Sequence, residues 1–97
     1  MKSIFSQDPE ICYLCGKRNA SDVHHIFEGS NRRASDEYGL TIRICRECHM
    51  YIHHFPKSKT AVELKKYAQK KAMEHYGWSI EEWIEKFWKD YRERNLQ

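Results

Sequence analysis

Four cysteines lie in two pairs at the spacing of zinc knuckles. The pairs are Cys12-x-x-Cys15 and Cys45-x-x-Cys48, and Gly16 follows the first pair directly. The tight turn in such a pair points two thiolates at one ion, and glycine permits the backbone conformation that follows. Four thiolates fill a tetrahedral Zn²⁺ site and leave no open position, so we predict a structural zinc that holds the fold.

Most of the six histidines lie in two clusters near these cysteines. His49 and His53 stand four residues apart, so on a helix they share a face and can bind one ion together. His54 is the alternative to His53, since the phase of the helix could favour either. The adjacent pair His24 and His25 lies in a predicted strand, and one of the two completes a three-histidine site if the helix packs across that strand. An open coordination position on such an ion is typical of a catalytic metal.

The second histidine of the strand would then stand free beside the metal. Imidazole titrates near neutrality, so it can act as a general base on water. A metal that binds a phosphoryl oxygen and a base that generates hydroxide are the working parts of phosphodiester hydrolysis. Because neighbouring residues on a regular strand point to opposite faces, both histidines serve one site only if the strand twists or ends there.

Two strands and a helix are predicted to position these residues. We predict a first strand in DVHHIFEG, ending near Gly29, a loop of about ten residues in SNRRASDEYG, and a second strand in LTIRIC. The spacing becomes helical from Cys48, and Pro56 limits how far that helix can run.

A second helix is predicted by a capping box and a glycine stop. Thr60 as N-cap and Glu63 three residues later form the box, so the helix would run from about Ala61 to Tyr76. Gly77 is its expected C-terminal stop.

A last helix is predicted from Ser79 and Glu82, which form another capping box, to about Arg94. Trp78 and Trp83 occupy the positions of a hydrophobic staple around its start. The apolar side chains at helical spacing are expected to form core, within the monomer or at a dimer contact. They are Ile80, Trp83, Ile84, Phe87, Trp88 and Tyr91.

Composition and charge bound the class of protein. The chain has 97 residues, of which 40% are hydrophobic and 32% charged, as expected of one soluble domain over 1–97 that needs a staple such as a metal. No apolar run reaches membrane-spanning length and the start lacks a secretory signal, so we expect a cytoplasmic protein in which cysteines bind metal.

The basic excess of the chain lies in 57–97. A polyanion partner would suit such a patch, and a solvated helix face would explain it equally well. The lysines close together there are Lys57, Lys59, Lys65, Lys66, Lys70 and Lys71.

Over about residues 10–56 the chain resembles the HNH nucleases of the ββα-metal (His-Me finger) superfamily, in particular the short HNH proteins of phages and prophages. The resemblance is carried by Cys12–Cys15, the strand DVHHI, the segment IRICRECH and His53. It implies an α+β fold, in which a small zinc-stapled ββα-metal core is followed by two C-terminal α-helices in 57–97.

The resemblance also implies roles for single residues in DNA hydrolysis. His25 corresponds to the general base, and His24, His49 and His53 correspond to ligands of a catalytic Mg²⁺, Mn²⁺, Ni²⁺ or Zn²⁺. The candidates for an arginine that neutralises the scissile phosphate are Arg43, Arg32 and Arg33.

The implied partner is DNA, held through its phosphates with little sequence discrimination. The aromatic last helix is a possible contact for a homodimer or for a phage-machine partner. The residues predicted to bind nucleic acid are Arg32, Arg33, Lys57, Lys59, Lys66 and Lys70.

The chain departs from the family pattern at one position. The middle asparagine of the HNH motif, which ties down the loop and helps to orient the base, is replaced by Tyr38-Gly39-Leu40. Either backbone groups of the loop substitute for it, or Asn31 reaches in. The missing residue favours the rival interpretation, a non-catalytic zinc module that binds nucleic acid or protein.

Overall fold

Two short strands and four α-helices make up the part of the chain that the computed structural model describes, residues 2–92. The strands β1 (Asp22–His25) and β2 (Thr41–Ile44) pair in an antiparallel hairpin. A 3₁₀ turn (Gly29–Asn31) precedes the first helix. The helices are α1 (Arg32–Glu37), α2 (Arg46–His54), α3 (Lys59–Tyr76) and α4 (Ile80–Phe87).

The hairpin has one buried face. His24 pairs with Ile42, and both are almost fully buried, whereas Val23 is 49% exposed. This alternation is what a two-stranded sheet with one solvated face requires. The first strand ends at His25, earlier than the predicted end near Gly29, because the chain then turns to enter the 3₁₀ turn.

The predicted loop between the strands was wrong over six residues, which form α1. The sequence of α1 is polar and shows no apolar stripe, so it gave no sign of the side chain that anchors the helix. Ser35 is fully buried, and its hydroxyl donates to the Phe27 carbonyl at 2.7 Å and accepts from the Phe27 N–H at 3.0 Å. A serine that satisfies backbone groups of another segment lets a polar helix pack without an apolar stripe.

Helix α2 begins two residues before the predicted start at Cys48. The reason is its cap, because the Cys45 sulfur accepts a hydrogen bond from the Cys48 N–H at 3.4 Å. A cysteine therefore takes the place of the usual serine or aspartate. The helix ends at His54, in agreement with the limit set by Pro56.

Helix α3 is capped by Ser58 and not by Thr60, since the Ser58 hydroxyl accepts from the Ala61 N–H at 3.2 Å. The helix consequently starts at Lys59. Its predicted stop is confirmed, because Gly77 has a φ of 72° in the left-handed region, where glycine is favoured.

The capping box of α4 is confirmed, with both hydrogen bonds present between Ser79 and Glu82. The helix ends at Phe87, earlier than predicted, and Trp88 follows in the left-handed conformation. The Phe87 carbonyl accepts from the Asn31 side chain at 3.0 Å, a tertiary contact that the sequence does not reveal. The predicted end near Arg94 lies outside the described residues.

The core joins the hairpin to both later helices. Trp83 and Phe87 are fully buried and stack with ring centroids 4.0 Å apart, which confirms them as core, while Trp88 is 73% exposed. Small side chains on α3, those of Ala61, Ala68 and Ala72, are buried in this core. The buried members from the sheet and α3 include Ile26, Phe27, Leu40, Ile42, Ile44, Ala61, Leu64, Ala68 and Ala72. Within residues 2–92, none of the helices has the length and apolarity needed to cross a membrane.

Candidate metal centre

The four cysteines come together, as their spacing predicted. Their sulfur atoms lie within 4.8 Å of one another. The Cys15 and Cys45 sulfurs are 3.8 Å apart, and a tetrahedral zinc with bonds of about 2.3 Å places two sulfurs about 3.8 Å apart. The cluster is therefore compatible with a structural zinc ion that joins the N-terminal segment to the start of α2.

Both cysteine pairs have the hydrogen bonds of a zinc knuckle. The Cys15 N–H donates to the Cys12 sulfur at 3.4 Å, as the Cys48 N–H does to Cys45. Burial of the Cys12 thiol opposes its ionisation, but hydrogen bonds from backbone N–H groups, including those of Cys15 and Cys45, outweigh this and lower its pKa to about 6. A thiolate is the form that binds zinc, so this backbone geometry prepares the site.

A second cluster is formed by His24, His49 and His53, whose ring nitrogens also lie within 4.8 Å of one another. The Nε2 atoms of His49 and His53 are 3.1 Å apart. Two nitrogens bound to one tetrahedral ion at about 2.1 Å would be about 3.4 Å apart, so the residues present fit a metal ion. His54 is not part of this cluster, and its Nδ1 lies 2.9 Å from the Met50 carbonyl on the exposed side of α2.

Helix α2 and strand β1 position these ligands. His49 and His53 share one face of α2 at i and i+4, while Cys48 on the same helix belongs to the cysteine cluster. His24 comes from the buried face of β1 and meets the other two rings edge-on, at centroid distances of 5.2 and 6.1 Å. One helix thus contributes to both clusters.

Carboxylates lie behind the three imidazoles. The Asp22 Oδ2 is 2.9 Å from the His49 Nδ1, and Arg46 donates to the same oxygen at 2.8 Å. These hydrogen bonds, first from Arg46 and then from His49, hold the pKa of Asp22 well below its ordinary value. The Glu28 oxygens lie 3.5 Å from His24 Nδ1 and 3.6 Å from His53 Nδ1. An ionised carboxylate on Nδ1 fixes the tautomer that leaves Nε2 free to bind a metal.

His24 is the buried member of the cluster, with 2% of its surface exposed. Burial, followed by the charges of His49 and His53, lowers the pKa of His24 to about 3. Its ring is therefore neutral at physiological pH, which is the form that binds metals.

His25 lies beside the cluster and not in it. It lines the same open cavity of about 220 Å³, and its Nε2 is 3.4 Å from Asp36 Oδ1. Because β1 ends at His25, two consecutive histidines reach one cavity, which satisfies the condition set by strand geometry. The cavity is lined by Val23, His24, His25, Glu28, Gly29, Arg32, His49 and His53.

Of the three candidate arginines, only Arg32 lines this cavity. The Arg43 guanidinium instead donates to the carbonyls of Pro9 and Ala20, each at 3.0 Å. The structure therefore does not bring Arg43 to the histidines, because β2 directs it toward the N-terminal segment. Arg33 is exposed on α1, outside the cavity lining.

The predicted DNA-binding lysines lie on two parts of the surface. Lys57 and Lys59 are exposed where α3 begins. Lys66 and Lys70 line a separate groove of about 730 Å³ with Tyr67. The charge of another α3 lysine, Lys65, is among the lesser causes that lower the pKa of His24, after burial and the charges of His49 and His53.

Either backbone groups of the loop or Asn31 were expected to replace the missing asparagine, and the position of Asn31 decides between them. Its side chain is buried and donates to the Phe87 carbonyl, so it is directed to α4 and not to His25. Backbone groups tie down the loop instead, since the Ile26 N–H donates to the Leu40 carbonyl at 3.1 Å.

The sequence analysis did not find the carboxylates of Glu28 and Asp36 near the histidines. Glu28 follows the end of β1 and Asp36 belongs to a stretch predicted as loop. Neither position carries a periodicity that points to the site.

No protein-family model, no curated protein and no solved structure matches this chain. The likeness to the HNH nucleases therefore stays a prediction from sequence motifs. The geometry of the cysteine and histidine clusters is therefore the main evidence on the function of this chain.

Proposed function

We propose that this chain is a metal-dependent endonuclease of the HNH type that hydrolyses phosphodiester bonds in DNA. The observation that carries the proposal is a three-histidine cluster that opens into a cavity with a fourth histidine, His25, beside it. A closed four-cysteine site suffices to staple a small fold, so a second, open cluster points to chemistry.

The metal site would use His24, His49 and His53, with Asp22 and Glu28 holding their rings. Three protein ligands leave a position open for substrate. When bound, a divalent ion supplies Lewis-acid polarisation of the phosphoryl group and stabilises negative charge on the leaving oxygen.

The chain's own groups would carry the remaining steps. His25 takes a proton from a water molecule, and the hydroxide attacks the phosphorus. The bond between phosphorus and the 3′ oxygen breaks, and the leaving oxygen takes a proton from solvent, so the products are a 5′ phosphate and a 3′ hydroxyl. Arg32, on the rim of the same cavity, neutralises charge on the phosphate.

Binding of the substrate would rest on phosphate contacts. The exposed Arg33, Lys57 and Lys59 offer cations for the backbone of DNA. The exposed Trp88 after α4 is a candidate contact for a second copy or for a partner of a larger assembly.

A non-catalytic zinc module that binds nucleic acid or protein is the second candidate. The observation that favours it is the absence of the motif asparagine, since Tyr38-Gly39-Leu40 stands in that place and Asn31 is directed to α4. Such a module needs the cysteine cluster alone and gives no reason for the histidine cluster.

Plasmid nicking with added Mg²⁺, Mn²⁺, Ni²⁺ or Zn²⁺ tests the proposal, with native mass spectrometry to count metal ions. We expect two ions per chain and nicking that EDTA abolishes. His53→Ala should lose the second ion and at least about tenfold in rate, since even outer-shell partners of a metal contribute about 10–100-fold. His54→Ala is the matched control, because it removes an imidazole from the same helix turn but outside the cluster.

A different outcome would support the non-catalytic zinc module. It would be one tightly held zinc, no second ion with any of the four metals, and no nicking by the wild-type chain. Equal losses in His53→Ala and His54→Ala would also contradict the site, because only one of these rings lies in the cluster.

A further inference from the structure

Each imidazole that lines the cavity faces a carboxylate, and the carboxylate facing His25 comes from α1. Asp22 contacts His49, and Glu28 contacts His24 and His53, so both of these acids serve the metal ligands. Asp36 Oδ1 lies 3.4 Å from His25 Nε2. The His25 side chain is 16% exposed and that of Asp36 is 65% exposed, so the contact lies at the mouth of the cavity.

The backbone around His25 is held from the same helix. The buried Ser35 hydroxyl binds both the N–H and the carbonyl of Phe27, two residues after His25. The Leu40 N–H donates to the Ser35 carbonyl at 2.8 Å, and the Leu40 carbonyl accepts from Ile26. With the chain fixed on that side, the imidazole of His25 can rotate only about its own side-chain bonds, and Asp36 is the group placed to stop that rotation.

We infer that Asp36 is the positioning residue of His25, in place of an asparagine from the loop before β2. This inference rests on the proposed function, in which His25 is the general base. The carboxylate accepts a hydrogen bond from the Nε2–H of His25, which leaves Nδ1 without a proton and able to take one from water. As that proton arrives, the carboxylate stabilises the imidazolium that forms.

The kinetic test compares Asp36→Asn with Glu37→Gln, the same chemical change one residue along α1. Glu37 is exposed, and the carboxylate that contacts the His25 ring is that of Asp36. Glu37→Gln therefore removes a negative charge from the same helix without touching this contact. We expect Asp36→Asn to lower kcat for plasmid nicking at least about tenfold, a usual scale for a supporting group. KM for DNA, the count of bound metal ions and the melting temperature should stay unchanged, and Asp36→Glu should restore part of kcat.

Results that would overturn the inference are a kcat of Asp36→Asn equal to that of Glu37→Gln, or a fall in melting temperature that accounts for the lost activity. The first would leave His25 oriented without Asp36. The second would make Asp36 a residue of the fold alone.

A measurement without substrate separates this inference from the proposed function. In zinc-loaded protein, ¹⁵N–¹H correlation spectra of the imidazoles report which nitrogen of His25 carries the proton. We expect one tautomer, protonated at Nε2, in the wild type and in Glu37→Gln, and a mixture in Asp36→Asn. If that pattern appears in a chain that cleaves no DNA, the positioning holds and the nuclease fails. A mixture in the wild type would overturn the positioning itself.

Discussion

At the scale of single residues, His24 shows how burial in this fold keeps an imidazole in the neutral form that metals bind. It is buried on β1 beside two other imidazoles, so a proton on its ring would be desolvated and repelled. The pKa of about 3 means that, at a pH between about 3 and 6.5, His24 is neutral in the folded chain and protonated in the unfolded chain. Stability must therefore depend on pH through this residue.

The sign follows from the two pKa values of His24. The folded value lies below the unfolded value of about 6.5, so this group's contribution is fully present above about 6.5 and is lost as pH falls below it. Between pH 7.5 and 5.5 the free energy of unfolding should fall by about 1.4 kcal/mol more in the wild type than in His24→Asn. Urea unfolding of protein carrying one equivalent of zinc measures this, and equal decreases in both proteins would contradict it.

Ligand spacing is the part of the site that sequence alone could predict. His49 and His53 are four residues apart and the cysteines are in knuckle pairs, so local geometry already brings them together. The partners of these ligands depend on tertiary packing. The contact of Asp36 with His25 and the direction of Arg43 away from the cavity appear only when the strands and α1 are placed.

At the scale of elements, α2 is where the cysteine and histidine clusters meet. Its start is fixed by Cys45, which both caps the helix and belongs to the cysteine cluster. Its next turns carry His49 and His53 toward β1. The position of the histidines therefore depends on whether the cysteine cluster holds the first turn of the helix.

Removal of one thiolate should accordingly unfold the domain. Structural zinc supplies folding energy directly, and Cys45 is buried, so Cys45→Ser loses a ligand where no water can replace it. We expect no cooperative thermal transition by circular dichroism in the presence of zinc, and the same result for the wild type after complete chelation. A variant with the wild-type melting temperature would contradict a structural role of the cluster.

Elements with local signals were predictable, and those defined by tertiary contacts were not. The hairpin strands, the stop at Gly77 and the capping box of Ser79 were all readable from the chain. Helix α1 was missed because its anchor is a buried serine and not an apolar stripe. The Phe87 carbonyl, where α4 ends, accepts a hydrogen bond from Asn31, which lies far away in sequence.

At the scale of the whole molecule, the two parts of the sequence share one core. Phe27 after β1 packs against Trp83 and Phe87 of α4, with ring centroids 5.3 and 5.1 Å away. The same α4 carbonyl that Asn31 holds lies at the end of this aromatic cluster. The C-terminal helices thus support the segment that follows His25, so we expect them to matter for the geometry of the site.

The most direct test of the proposed nuclease is the single-turnover rate of plasmid nicking by His25→Ala beside the wild type. Both proteins should first be shown to carry two metal ions, because His25 is not in the histidine cluster. We predict a rate at least about a hundredfold lower in His25→Ala, the usual scale for loss of a general base. An equal rate in two fully metallated proteins would contradict the assignment of His25 and, with it, the chemistry proposed for the cavity.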